Sequence, residues 1–155
     1  MKYIIKSKKY INLPFNIDEF HKEFNDLPSK ESILEIVYAA ISYAEKILGY
    51  CICEQEILLQ VSSTKSALKL DISGYKSVMV LKPTNKKSYK MSSKTLYIFQ
   101  ASNDVLLKIH IEGSYLDSFI LYAIKLHVKI LYNPHLYKDL SVRHIESMYK
   151  FYKVI

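Results

Sequence analysis

The sequence has few of the residues that mark several protein classes. Its 155 residues include 3 glycines, 4 prolines and no tryptophan, which excludes collagen-like chains, linker-rich chains and WD-type repeats. Cys51 and Cys53 are the only cysteines, so we expect free thiols rather than a disulfide-stapled secreted fold. No stretch reaches the roughly 18 uncharged residues of a membrane span. We therefore predict a protein of a reducing, cytoplasmic compartment with no membrane span.

The charge is basic, and lysine supplies nearly all of the basic side chains. Lys and Arg number 22 against 15 Asp and Glu, a net charge of +7, and Arg143 is the only arginine. Lysine binds anions as a mobile point charge rather than as a planar fork. Because half of the residues are hydrophobic, the chain can build a core, and we predict a single domain over residues 1–155. The 14 tyrosines suit a ligand pocket or an interface.

The first third of the chain has the periodicity of helices. Residues 1–16 have the composition of an edge strand or an extended arm. Asp18 can cap a short helix that runs to Asp26, with Phe20 on its apolar face. From Ile33 to Leu48 apolar residues recur every three or four positions, and Gly49 stands where a left-handed C-terminal cap belongs.

The middle of the chain changes to the two-residue period of strands, and helical periodicity returns after residue 114. We predict two hairpins: Tyr50–Cys53 with Ile57–Val61, and Leu96–Phe99 with Val105–Ile111. The other expected elements are two strands, Ala67–Ile72 and Val78–Leu81, and two helices, Tyr115–Tyr132 and Ser141–Tyr152. This order predicts an α+β fold, an antiparallel sheet of sequential hairpins flanked by N-terminal and C-terminal helices.

Five lysines are concentrated in the polar stretch from Lys82 to Lys94. The stretch can be a solvated hairpin tip, a clamp for ligand carboxylates, or a patch for a phosphate backbone. Tyr89 is the only aromatic residue within it, and arginine is absent, so we do not expect nucleic acid as the partner. The five lysines are Lys82, Lys86, Lys87, Lys90 and Lys94.

The sequence lacks the common catalytic signatures. It has no glycine-rich phosphate loop, no His-Glu-x-x-His and no nucleophile elbow, so a hydrolytic enzyme is not expected. Among the histidines, His21 is either a surface residue or a metal or haem ligand beside Phe20 and Phe24. His110 shares a strand face with Lys108 and meets either solvent or a ligand cavity.

Four stretches resemble one repeat of the HemS-type haem-utilisation proteins and of their single-repeat ChuX/HutX relatives. They are a short helix with a histidine and aromatics, a helix leading into strands, a strand ending in Lys-Pro-Thr, and a hairpin. These stretches are Asp18–Phe24, Ser32–Ser62, Ser77–Thr84 and Leu96–His110.

This resemblance implies a small cytosolic carrier or chaperone that holds haem between the sheet and the helix of His21. His21 would be the axial ligand of the iron, Lys82 would reach a haem propionate, and His110 would face the pocket. Single-repeat relatives pair as dimers, so the resemblance also implies a homodimer. Some two-repeat members degrade haem, which leaves an enzymatic activity open.

A second hypothesis is a cofactor-free protein–protein interaction module, such as an immunity, adaptor or viral interaction protein. The connection from Val61 to Ala67 is much shorter than the haem-pocket loop of the family, and lysines stand where the family has arginines. Tyrosine is a common interface anchor. On this hypothesis the net charge of +7 favours an acidic partner.

Overall fold

The chain folds into two compact units, each built from two separated stretches of sequence. Unit 1 comprises Met1–Ile11 and Glu54–Glu112, and unit 2 comprises Asn12–Cys53 and Gly113–Ile155. The predicted single domain over residues 1–155 stays a prediction. The structure is a computed structural model, and it describes residues 2–24, 28–62, 67–99, 104–114 and 117–152.

Unit 1 is a strand unit with two antiparallel sheets. The four-stranded sheet has the order β1-β2-β7-β4, and the three-stranded sheet has the order β3-β6-β5. A short 3-10 turn, Lys86–Ser88, precedes β5. The strands are β1 Lys2–Tyr10, β2 Gln55–Ser62, β3 Leu68–Asp71, β4 Ser77–Lys82, β5 Tyr89–Met91, β6 Thr95–Ile98 and β7 Val105–Ile111.

The core of unit 1 joins the apolar faces of its two sheets. Val105, Leu107 and Ile109 of β7 are buried in one cluster with Leu96 and Ile98 of β6. Burying a side chain of this size stabilises the fold by about 1.5–3 kcal/mol. Since alternate residues of a strand point to opposite faces, this cluster leaves the other face of the four-stranded sheet free for polar residues.

Unit 2 is a helix unit in which the long helices contact one another. Ser29 caps the N-terminus of α2, and Gly49 ends it in the left-handed conformation with φ 81°. Both features agree with the predicted helix. The helices are α1 Ile17–His21, α2 Lys30–Leu48, α3 Ser118–Tyr132 and α4 Val142–Phe151, and a 3-10 turn, Pro134–Tyr137, lies between the last two.

The N-terminus of α1 differs from the prediction by two residues. The cap is Asn16, whose side-chain oxygen accepts hydrogen bonds from the backbone of Asp18 and Glu19. The Asp18 carboxylate instead pairs with Lys30 Nζ at 2.6 Å, and this hydrogen bond lowers the pKa of Asp18.

The first predicted hairpin is wrong, because residues 50–53 form no strand. A carboxylate oxygen of Glu45 accepts hydrogen bonds from the backbone N–H groups of Ile52, at 2.9 Å, and Cys53, at 3.5 Å. The carbonyl oxygen of Cys51 accepts the N–H of Ser114 at 3.0 Å. The backbone groups that a hairpin would need are therefore already bonded elsewhere. β2 pairs instead with β1 and β7.

The second predicted hairpin is also wrong. β6 pairs with β3 and β5, whereas β7 pairs with β2 and β4 in the other sheet. Both strands have one apolar face, and these faces meet across the core instead of lying side by side in one sheet. The local pattern is the same in either arrangement, so it could not distinguish them.

The predicted α+β class is confirmed: both sheets are antiparallel, and helices stand before and after most of the strands. Within the described ranges, none of the helices combines the length and apolar character needed to cross a bilayer. The expected end of the first helix at Asp26, the turn at 101–103 and the helix start at Tyr115 lie outside the described residues.

The conformation of Gly49 yields a test of the helix end. A Cβ atom at Gly49 or at Gly74 would have open space, but only Gly49 has a positive φ. We expect Gly49→Ala to lower the free energy of unfolding by about 1 kcal/mol, because L-residues resist the left-handed conformation. Urea titration followed by circular dichroism measures it. Gly74→Ala is the matched control, and an equal loss in both variants would contradict the assignment.

A buried histidine on α3 makes the stability of unit 2 sensitive to pH. His127 is 3% exposed, and its ring lies edge-on to Tyr43 with centroids 5.1 Å apart. No described residue hydrogen-bonds its Nδ1. Burial lowers the pKa of His127 below its ordinary value of 6.5, because the charged imidazolium is poorly solvated there.

The unfolded chain therefore binds a proton at His127 more readily than the folded chain does. This contribution to stability is complete above the ordinary pKa of 6.5 and is lost as the pH falls below it. We expect urea midpoints of the helical signal to fall between pH 7.5 and 5.5, and His127→Leu to remove part of that fall. The exposed His135 supplies the control, His135→Leu, which should keep the wild-type pH dependence; identical profiles for both variants would refute the role of His127.

Candidate interaction surface

The exposed face of the four-stranded sheet combines lysines with apolar side chains. We call it the lysine face and define it by six residues. Some of them alternate with buried core residues along their strands, and the others border a hollow on this face. Met79 on this face is 57% exposed, an unusual position for a methionine. The six residues are Lys6, Leu58, Met79, Lys82, Leu106 and Lys108.

An open hollow lies at the end of the lysine face where β4 ends and β7 begins. Its volume is about 650 Å³, and Leu58 and Leu106 form its apolar part, with Gln60 and Asp104 also in the lining. Lys6 and Lys82 stand at its border, each at a strand irregularity: the register of β1 shifts between Ile5 and Ser7, and that of β4 shifts between Val80 and Lys82. An apolar part with a cationic border is suited to a protein surface that has apolar residues and carboxylates.

The acidic groups on this face are already bonded within unit 1. Asp104 accepts hydrogen bonds from Gln60 and from Ser62, the latter at 2.8 Å. Glu56 pairs with Lys108 at 3.3 Å. Within the described part of the chain, neither Lys6 nor Lys82 forms a salt bridge, so their charges are available to a partner.

The two units differ sharply in charge. Unit 1 has 13 basic residues, all lysines, against 5 acidic residues, a net charge of +8. Unit 2 has 9 basic residues against 10 acidic residues, a net charge of −1. The positive charge of the whole protein therefore belongs to the strand unit. A field of one sign attracts acidic partners and speeds their association.

Two of the three predicted site residues, Lys82 of β4 and His110 of β7, lie towards opposite ends of this strand pair. Lys82 pairs with Leu106, whereas His110 pairs with Ser77 at the other end of the strand. Five residues of strand separate them by about 17 Å. His110 Nε2 lies 2.6 Å from a carboxylate oxygen of Glu54, which also pairs with Lys76 at 3.3 Å.

The third predicted site residue, His21, belongs to unit 2. It is half-buried at the end of α1, and its Nε2 donates a hydrogen bond to the carbonyl oxygen of Pro28. The rings of the neighbouring Phe20 and Phe24 pack edge-on with centroids 5.2 Å apart, and Phe24 borders a small cavity of about 80 Å³ with Tyr132 and Leu136.

The cysteines lie in the segment before β2 rather than on a sheet. Both are reduced cysteines, with Cys51 half-buried and Cys53 buried. Among the described residues, no group of three His, Cys, Asp or Glu side chains comes together as a metal site.

Sequence reasoning missed Lys6, Leu58 and Leu106 as members of a surface. The available signal was the alternation in β7, where Leu106, Lys108 and His110 share a face. From that alternation we predicted a shared face for Lys108 and His110 but did not include Leu106. The contribution of Lys6 depends on a pairing between β1 and β2, which are separated in sequence by α1 and α2.

Comparisons with known proteins give a likeness of fold. No family model and no curated protein matches the chain. A chain in the virion of a native gene transfer agent (GTA) particle is similar over 96% of this chain and 95% of its own, with a TM-score of 0.52 and 12% identity. A chain in the neck of an empty GTA particle, computed with C6 symmetry, covers 96% of both, with a TM-score of 0.49 and 11% identity.

The prediction of a haem carrier is wrong. The fold of nearly the whole chain is like that of a chain in the virion of a GTA particle. The physical reason in the structure is that Lys82 and His110 do not converge: they lie towards opposite ends of the paired strands β4 and β7. Haem as a ligand, the HemS-type resemblance, the homodimer and the cytoplasmic location stay predictions that no comparison tests.

Proposed function

We propose that this protein is a cofactor-free interaction module that serves as a structural component of a virion-like particle. The observation that supports this proposal is the likeness of fold to a chain of the GTA virion, which extends over 96% of this chain. A component of a particle acts by binding neighbouring subunits. This role agrees with the second hypothesis drawn from the sequence.

The lysine face is the surface on which we place the partner. Its hollow of about 650 Å³ has an apolar part formed by Leu58 and Leu106, and Lys6 and Lys82 have no internal salt bridge among the described residues. Unit 1 carries a net charge of +8, so the partner surface is acidic with an apolar centre. In this arrangement the apolar contacts supply affinity, and the lysines supply orientation and rate of association.

The proposal is tested by sedimenting particles from cells that produce the chain together with its native particle genes. We expect the wild-type chain to sediment with the particles in a density gradient, at a fixed number of copies per particle measured by quantitative mass spectrometry. A chain that stays at the top of the gradient, away from intact particles, would overturn the proposal.

A charge-reversed variant tests the lysine face itself. We expect Lys6→Glu with Lys82→Glu to lower the affinity for particles about tenfold, equivalent to about 1.4 kcal/mol. The matched control is Lys22→Glu with Lys138→Glu, which makes the same change in net charge on exposed lysines of unit 2. The control should bind within about twofold of wild type. Equal losses in the two variants would show that net charge, not this face, governs binding.

A further inference from the structure

The first strand is an exposed edge of the four-stranded sheet. β1 stands at the end of the order β1-β2-β7-β4, and among the described residues it pairs only with β2. It is 9 residues long, and 8 of them are exposed. An edge of this length offers backbone N–H and C=O groups on which a further strand can add.

The composition of β1 opposes pairing with a second copy of itself. Its 9 residues include 4 lysines and no acidic residue. Two such strands side by side would bring like charges together across the pair, which is destabilising. Lysines and a bulge are the devices by which proteins protect edge strands from one another, and β1 has both.

The two faces of β1 differ in chemistry. Tyr3 and Ile5 lie at the border of a cleft of about 570 Å³ between the two sheets of unit 1, whose other walls include Leu59 and Leu70. Lys8, opposite Ile57, also lies on this face, whereas Lys2, opposite Ser62, and Lys9, opposite Glu56, lie on the other face together with Ile4. Lys6, at the bulge, borders the hollow of the lysine face.

A strand added beside β1 would continue this division. Its side chains on one face would extend over the apolar cleft next to Tyr3 and Ile5. Its side chains on the other face would lie next to Lys2, Lys6 and Lys9. Because a strand has a period of two, the complementary segment alternates apolar and acidic residues.

We infer that β1 is a strand-addition site for an extended segment of a partner protein in which acidic and apolar residues alternate. The inference rests on the proposed function only for the origin of that segment, a neighbouring subunit of the particle. Backbone hydrogen bonds along the edge supply affinity, and the charge of unit 1 selects the acidic pattern.

The test uses the full chain and synthetic nonapeptides blocked at both ends. One peptide alternates five glutamates with four valines; the control peptide has the same composition in two blocks, five glutamates followed by four valines. We expect the alternating peptide to bind at least about tenfold more tightly by fluorescence anisotropy. It should also slow amide hydrogen exchange within residues 2–10. Equal affinities of the two peptides would overturn the inference.

Two further experiments distinguish binding at β1 from a general electrostatic attraction to the basic protein. Lys2→Glu with Lys9→Glu should weaken the alternating peptide about tenfold, whereas Lys86→Glu with Lys87→Glu, an equal change of charge away from β1, should weaken it less than about threefold. Tighter binding of a short DNA duplex than of the alternating peptide would also contradict strand addition.

The results also distinguish failure of this inference from failure of the proposed function. If the chain sediments with particles but the two peptides bind equally, only this inference fails. If the alternating peptide is preferred but the chain does not sediment with particles, only the proposed function fails.

Discussion

One-sided burial of β7 is the constraint on which the rest of unit 1 depends. Val105, Leu107 and Ile109 are each 4% exposed or less, because they pack against residues of the second sheet. Once these three side chains point to the core, the residues between them must point the other way. Leu106, Lys108 and His110 therefore occupy the exposed face, and β7, with strands on both sides, carries this division to β2 and β4.

The lysine face is a consequence of this same constraint, and β1 lies at the edge of the sheet that carries it. The cleft beside Tyr3 and the hollow beside Lys6 lie on opposite faces of one sheet, and β1 takes part in both. A strand that borders an apolar cleft on one side and carries lysines on the other is suited to a partner with two different faces. The positive charge of the lysines has two effects: it attracts acidic partners, and it keeps two β1 edges from pairing with each other.

Much of the secondary structure follows from local interactions. Ser29 and Gly49 delimit α2, and the pair Asn133-Pro134 delimits α3, because caps and helix-stopping residues act within one turn. The local pattern gave a wrong prediction where a side chain outside the segment accepts hydrogen bonds from its backbone. Glu45 takes the N–H groups of Ile52 and Cys53, so a segment with strand-like alternation forms no strand.

The candidate site was only partly accessible to such reasoning. Alternation along β7 correctly placed His110 on the same face as Lys108. A haem site, however, would need His21, Lys82 and His110 to lie around one pocket. Short sequence motifs carry no information on whether residues from different elements meet in space. The sequence did not show which strands pair when they are far apart along the chain, such as β1 with β2 and β3 with β6.

The amino-acid order alone determined the α+β class, the presence and C-terminal ends of the two longest helices, the basic character and the polar face of β7. Each of these depends on neighbours within a few residues or on composition. Only the tertiary structure decided that the excess of lysine belongs to one unit, that β1 is an edge, and that Lys6 joins Lys82 around the leucines of one hollow. These features come from contacts between residues tens of positions apart, where many alternative pairings satisfy the same local pattern and the burial of a shared core selects one of them.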